Sequence, residues 1–165
     1  MSFLDPSVVK PLLPLAKNWT TIRDEYNQIQ AKAKSWPEPI HNGRWAVIGL
    51  RFQGKNLEMQ AQAPFTSQLC NGIPGALTFG FSVMKPGCVI ERHYGYSKKV
   101  LRIHLGLQTN DNAAIEVNGA KKNWSEGRLI MFDDTQVHSA WNLGTEDRVI
   151  LLVDVKRESI DSYLS

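Results

Sequence analysis

Leu101-Arg102-Ile103-His104-Leu105 alternates aliphatic with basic side chains at a period of two. A strand turns successive side chains to opposite faces, so Leu101, Ile103 and Leu105 share one face while Arg102 and His104 share the other. The same period runs through Leu77-Thr78-Phe79-Gly80-Phe81-Ser82-Val83, where the large apolar residues lie on one side and Thr78, Gly80 and Ser82 on the other. Two such strands predict a layer with one face in an apolar core and one polar face lining a cavity.

Outward from this stretch the chain reads as short β-prone runs broken by Gly, Pro, Asn and Asp. Strands are expected over 45–52, 77–84, 100–107, 113–117, 128–132, 137–142 and 148–156. Many short strands joined by turns indicate a mainly β sandwich or jelly roll. Asn118-Gly119 fits a tight hairpin turn, and Leu143 to Asp147 fits a longer one.

Before the strands, residues 1–17 carry three prolines among scattered leucines and predict an irregular arm. Asn18 has the chemistry of a helix N-cap, and Trp19, Ile22, Tyr26 and Ile29 recur at helical spacing, so one helix is expected within 18–36, packed outside the jelly roll over 44–157. At 165 residues the chain has the size of a single domain that buries roughly two thirds of its unfolded surface.

Composition excludes several roles. Lys plus Arg number 19 against 16 Asp plus Glu, spread along the chain, which gives no footprint for nucleic acid. No apolar run is long enough to span a membrane. Cys70 and Cys88 lack metal-ligand spacing and no secretory leader precedes them, so reduced thiols in a cytoplasmic protein are expected. Oligomeric state is not legible.

The candidate chemistry lies in Arg92-His93-Tyr94-Gly95 and in Phe132-Asp133-Asp134 to His138, with Arg148 ten residues further on. His93 and His138 are candidate metal ligands. Gly95 stands where a His-x-Asp pair would carry its carboxylate, so a third ligand must come from elsewhere. Water held by Asp133 or Asp134, the side chain of Glu91, or a chloride ion are the alternatives. A chain that leaves through His138 and turns near Gly144 returns at about Arg148, which predicts an arginine beside a metal ligand. Together Ser82, Arg102, His104 and Arg148 suit a small dicarboxylate. His41, near a Pro-rich turn, reads as structural; Trp124, Phe132 and Trp141 read as core or cavity wall, and Lys98 and Lys99 as solvated.

These elements resemble the aspartyl/asparaginyl β-hydroxylases, Fe(II)- and 2-oxoglutarate-dependent dioxygenases. The resemblance runs from about Trp19 to Arg157. It is carried by Phe81 to Gly87, His93-Tyr94-Gly95, Leu101 to Leu107, Trp124 to Arg128, Phe132-Asp133-Asp134 to His138, and Trp141-Asn142. It implies a double-stranded β-helix, with iron held by His93 and His138 alone and 2-oxoglutarate held by Ser82, Arg102, His104 and Arg148; of the two aspartates, Asp134 is taken as the catalytic candidate. It also implies dioxygen as co-substrate and hydroxylation at the β-carbon of an Asp or Asn residue or a related amino acid, in a small-molecule or peptide substrate, and it leaves a lipid acyl chain open as the acceptor. Tyr96-Ser97-Lys98-Lys99 departs from the family's pattern at the site's edge, which bears on the substrate. The chain resembles a bare catalytic domain, without the membrane anchor and helical repeats of the animal members. A non-catalytic binding module for a small dicarboxylate and a halogenase are the alternative functions.

Overall fold

The computed structural model describes residues 2–95 and 99–165. Its elements in chain order are α1 (Leu13–Lys17), α2 (Trp19–Ile29), β1 (Lys34–Ser35), β2 (Trp45–Phe52), β3 (Lys55–Asn56), α3 (Pro64–Asn71), β4 (Ala76–Met84) and β5 (Cys88–His93). There follow β6 (Val100–Gln108), β7 (Ala113–Val117), β8 (Ala120–Asn123), β9 (Leu129–Asp133), β10 (His138–Asn142), β11 (Arg148–Lys156) and α4 (Arg157–Leu164).

Two antiparallel sheets face each other, one ordered β1-β2-β4-β11-β6-β9 with β3 paired to β2, the other β5-β10-β7-β8. This is the expected double-stranded β-helix. The larger sheet is covered on both faces. Outside it, Phe81, Ile103 and Leu151 pack against Ile22, Tyr26 and Ile29 of α2, and inside it, Met84, Phe132 and Ile150 meet Ile90, Ile115 and Ala140 of the smaller sheet. Double coverage explains why β11 reads Val-Ile-Leu-Leu-Val without alternation: every residue from Arg148 to Val155 is buried.

Three expectations change. Residues 1–17 are not an irregular arm: 3₁₀ turns at Pro6–Val8 and Lys10–Leu12 lead into α1, with Val9, Leu12 and Leu15 buried. The prolines stand in the first turns of these segments, where a missing N–H costs nothing. The following helix is shorter than 18–36; α2 stops at Ile29, a 3₁₀ turn covers Gln30–Lys32, and β1 begins at Lys34. Asn18 does not cap α2, because its side-chain amide donates back to the carbonyl of Pro14 at 2.7 Å.

The third change concerns the C-terminal pair. β10 and β11 are not a hairpin: β10 pairs with β5 and β7, whereas β11 pairs with β4 and β6 in the other sheet. Arg148 and His138 still meet one cavity, from opposite walls. The Asn118-Gly119 turn between β7 and β8 forms as expected, with φ of 48° and 86°. Sequence reading passed over β1, β3, β5, β8, α3 and α4; β5 is the strand that delivers His93.

Candidate active site

The mouth of the barrel holds two histidines. His93 and His138 face each other across the β5–β10 pair with ring centroids 4.1 Å apart. Strict alternation would turn Arg92, not His93, to the side of buried Ile90. A bulge between the His138 and Ala140 pairings sets Glu91 and Arg92 opposite Ser139 and re-aims His93 inward.

Both rings are fixed in the same way. Nδ1 of His93 donates to the Glu91 carbonyl at 2.6 Å, and Nδ1 of His138 to the Gln136 carbonyl at 2.7 Å. A carbonyl only accepts, so each Nδ1 carries the proton and each Nε2 is left for a ligand. Burial lowers the His93 pKa, with His138 and Arg102 adding to the effect against the Glu91 hydrogen bond and Asp134, which favours the neutral, ligating form.

Asp134 completes the mouth. Its Oδ1 lies 3.2 Å from His138 Nε2 and 3.0 Å from Arg102 Nη1, ion-pair distances without hydrogen-bond alignment. With Nδ1 of His138 donating elsewhere, Nε2 and Oδ1 face each other as two acceptors, an arrangement that calls for a proton or a metal ion at Nε2. Burial pushes the Asp134 carboxyl upward, but His138, Arg102 and His93 together outweigh it and the net shift is downward. The neighbouring carboxylate is elsewhere: Asp133 binds Arg157 at 2.8 Å and caps the turn at Thr135. Glu91 contributes its carbonyl and its side chain is exposed. Among the described residues no cluster of three or more His, Cys, Asp or Glu is arranged to hold a metal; His93 and His138 are two imidazoles that share one mouth.

Behind the histidines a narrow inner cavity runs to Arg148. Arg148 is 2% exposed and forms no ion pair with a carboxylate among the described residues. One Nη2 donates to Ser82 Oγ at 2.8 Å and to its carbonyl at 3.2 Å, the guanidinium lies 4.4 Å over the Trp124 ring, and Nε is buried without a partner. Burial pulls its pKa down to about 9, so it remains a cation at neutral pH. Ser82 Oγ also receives Trp45 Nε1 at 2.8 Å. Two donors fill its lone pairs and leave its own proton to offer. His104 Nδ1 accepts from Trp124 Nε1 at 3.1 Å, and burial with the nearby arginines holds the ring neutral, so Nε2–H is a donor. An unpaired buried cation with spare donors converging beside it fits a carboxylate ligand.

Arg102 stands between this cavity and an outer groove. Its Nε and Nη2 donate to Asp154 at 2.8 and 3.0 Å, and Nη1 faces Asp134. Asp154 was missed by the sequence reading, as were the two indole N–H groups of Trp45 and Trp124 that orient Ser82 and His104. Asp154 had a signal: a carboxylate inside a buried aliphatic strand requires a cation, and Asp154 is in register with Arg102. Tyr96-Ser97-Lys98 lies outside the described residues, and Lys99 is exposed.

Residues 16–158 match the family model for aspartyl/asparaginyl beta-hydroxylase. The chain is 39% identical over 115 residues to the ornithine lipid ester-linked acyl 2-hydroxylase of Rhizobium tropici, covering 67% of this chain and 41% of that protein. It is 33% identical over 153 residues to the aspartyl/asparaginyl beta-hydroxylase of Homo sapiens, covering 86% of this chain and 20% of that protein. The chain thus spans less than half the length of these relatives. A Pseudomonas putida prolyl-4-hydroxylase shares the fold, with a TM-score of 0.58 at 16% identity over 86% of each chain. The chain belongs to the aspartyl/asparaginyl β-hydroxylase family.

Proposed function

We propose that the protein is an Fe(II)- and 2-oxoglutarate-dependent dioxygenase that hydroxylates a C–H bond. The observation that carries this reading is Arg148, a buried cation with no carboxylate partner among the described residues, at the end of a cavity whose mouth is two histidines with Nε2 available. His93 and His138 would hold the iron. When bound, iron supplies the activation of dioxygen that no side chain provides.

The residues divide the remaining work. Arg148 and the Ser82 hydroxyl bind the distal carboxylate of 2-oxoglutarate, and the keto-acid end then reaches the histidines, where His104 and Arg102 donate to it. Asp134 accepts from a water in the third position. Trp45 and Trp124 keep Ser82 and His104 aimed and exclude bulk water. One oxygen atom of dioxygen enters the product C–OH and the other the new carboxylate of succinate, as 2-oxoglutarate loses carbon dioxide.

The Asp134 carboxylate beside Gly95 can accept from a water but repels a halide, which favours hydroxylation over halogenation. The two printed chemistries of the relatives, an aspartyl or asparaginyl residue and a lipid acyl chain, are both candidates for the acceptor. The buried free thiols Cys70 and Cys88 suit a reducing compartment, and we place the protein in the cytoplasm; no described helix is long and apolar enough to cross a membrane.

Anaerobic addition of Fe(II) and then 2-oxoglutarate tests the reading. A visible metal-to-ligand charge-transfer band is expected, followed by succinate release on admitting oxygen. A binding module would take up 2-oxoglutarate without ever releasing succinate.

A further inference from the structure

The connection from β9 to β10, residues 134–137, leaves one sheet and enters the other at the mouth of the barrel, outside both ladders. It carries two groups of the site. Asp134 is its first residue, and the Gln136 carbonyl accepts from His138 Nδ1 at 2.7 Å. That carbonyl decides which nitrogen of His138 is bare. Asp134 Oδ1 stands 3.2 Å from Nε2, so if the Gln136 carbonyl withdraws, the carboxylate draws the ring's proton to the nitrogen that has to be free to hold a metal. His93 has a carbonyl partner of the same kind, but it comes from Glu91 within β5 and not from this connection.

A turn built on Asp133 fixes the connection. Asp133 Oδ1 accepts from the Thr135 N–H at 2.9 Å and the Thr135 hydroxyl at 2.7 Å, and the Asp133 carbonyl accepts from the Gln136 N–H at 3.1 Å. The other carboxylate oxygen, Oδ2, accepts from Arg157 Nη2 at 2.8 Å. Arg157 reaches it from beyond β6, since β11 and β9 flank that strand, two strand spacings or about 10 Å apart. The Arg157 N–H donates to the Lys99 carbonyl at 2.6 Å, which fastens the root of the side chain beside β6. The helix that Arg157 opens gives no reason for an arginine. It is the first residue of α4, where the helix dipole disfavours a cation. The Asp133 carboxylate supplies that reason.

We propose that Arg157 is a positioning residue for the metal site: through Asp133 it holds the turn whose Gln136 carbonyl keeps the His138 proton on Nδ1. This rests on the hydroxylase reading of the same site, in which His138 is a metal ligand. A pair that merely fastened α4 to the barrel would change stability and treat the two histidines alike. A positioning pair acts on His138 and spares His93.

The test begins with the metal-free full-length chain carrying isotope-labelled histidines, read by ring-nitrogen NMR. In the wild type, His93 and His138 should each show an Nδ1–H signal protected from exchange with water. Arg157→Ala should lose that protection at His138 and keep it at His93, and Zn(II) calorimetry should show affinity lower by about tenfold. Asp133→Asn keeps an oxygen for Thr135 while giving up the charge, and should reproduce both effects. The double variant should bind Zn(II) no more weakly than Arg157→Ala alone, because the two residues act as one unit. Arg157→Lys retains a donor and a charge and should restore the His138 signal. With Fe(II), 2-oxoglutarate and oxygen added, Arg157→Ala should need more Fe(II) for half-maximal succinate release at an unchanged KM for 2-oxoglutarate, since Arg148 is untouched. An unaltered His138 signal in both single variants, loss of the His93 and His138 signals together, or additive losses in the double variant overturns the proposal. Failure of the hydroxylase reading shows separately, as no succinate from the wild type, while the His138 signal and Zn(II) affinity still report on Arg157.

Discussion

The Gly95 N–H donates to the Asp134 carbonyl at 2.7 Å, and a Cβ at position 95 would collide with the Asp134 carboxylate. The glycine is therefore more than the loss of a metal-binding carboxylate: the space beside the histidines is filled by a carboxylate from another part of the chain. Gly95→Ala should push Asp134 away from Arg102 and His138. Displacing such a supporting group is expected to lower Fe(II) affinity by about 10- to 100-fold, measurable by calorimetry. Gly95→Asp should fare no better, because the added carboxylate has no room while Asp134 stays.

Arg148 gives the sharpest separation of binding from stability. As a buried cation without a carboxylate it costs the ligand-free protein free energy, so Arg148→Met should leave stability unchanged or raise it by about 1–4 kcal/mol. The same change should raise the apparent KM for 2-oxoglutarate by about 10- to 100-fold, the loss of a charge-assisted contact. Thermal shifts with and without 2-oxoglutarate check both halves. A variant with unchanged KM would remove Arg148 from the co-substrate site.

Asp154 predicts the opposite stability effect. It is 3% exposed and holds Arg102 through two hydrogen bonds. Asp154→Ala leaves the guanidinium with one of its two carboxylates gone, and urea unfolding should show a loss of about 3 kcal/mol.

Alternation carried the fold and the cavity. The period of two in Leu101 to Leu105 and in Leu77 to Val83 put Arg102, His104 and Ser82 on one wall, where they are found. What alternation could not supply was anything that depends on the other sheet. His93 points inward because of a bulge, and a bulge breaks the period that sequence reading relies on. The choice between Asp133 and Asp134 required knowing that Arg157, after the last strand, reaches back to Asp133. Leu143 to Asp147 resembles a hairpin turn because turn chemistry does not reveal whether the chain pairs with itself or crosses to another sheet.

The two histidines should separate from the arginines in their effects. Both rings are oriented by a carbonyl two residues upstream, and His138 is buried against His93 and Phe132, so His138→Ala removes a proposed ligand together with packing. Succinate release should be abolished and the charge-transfer band lost, with some loss of thermal stability. Retained turnover would sink the two-histidine assignment.

Alkaline pH should reveal the buried thiols. Cys70 is fully buried, and desolvation raises its pKa well above the ordinary 9.0; burial raises Cys88 to about 11 against the pull of Arg148 and Arg44. The folded protein keeps these protons where the unfolded chain gives them up. The stability they contribute is therefore fully present below pH 9.0 and is lost as pH rises above it, by about 1.4 kcal/mol per pH unit for each thiol. Arg148, lowered to about 9, runs the other way, since the unfolded chain keeps its proton above that pH. The informative quantity is thus a difference between proteins, not one slope. Urea unfolding of wild type and Cys70→Ala between pH 8 and pH 10, about one unit either side of the ordinary thiol value, should show a gap that narrows as pH rises. A gap independent of pH would mean that Cys70 keeps no proton the unfolded chain gives up.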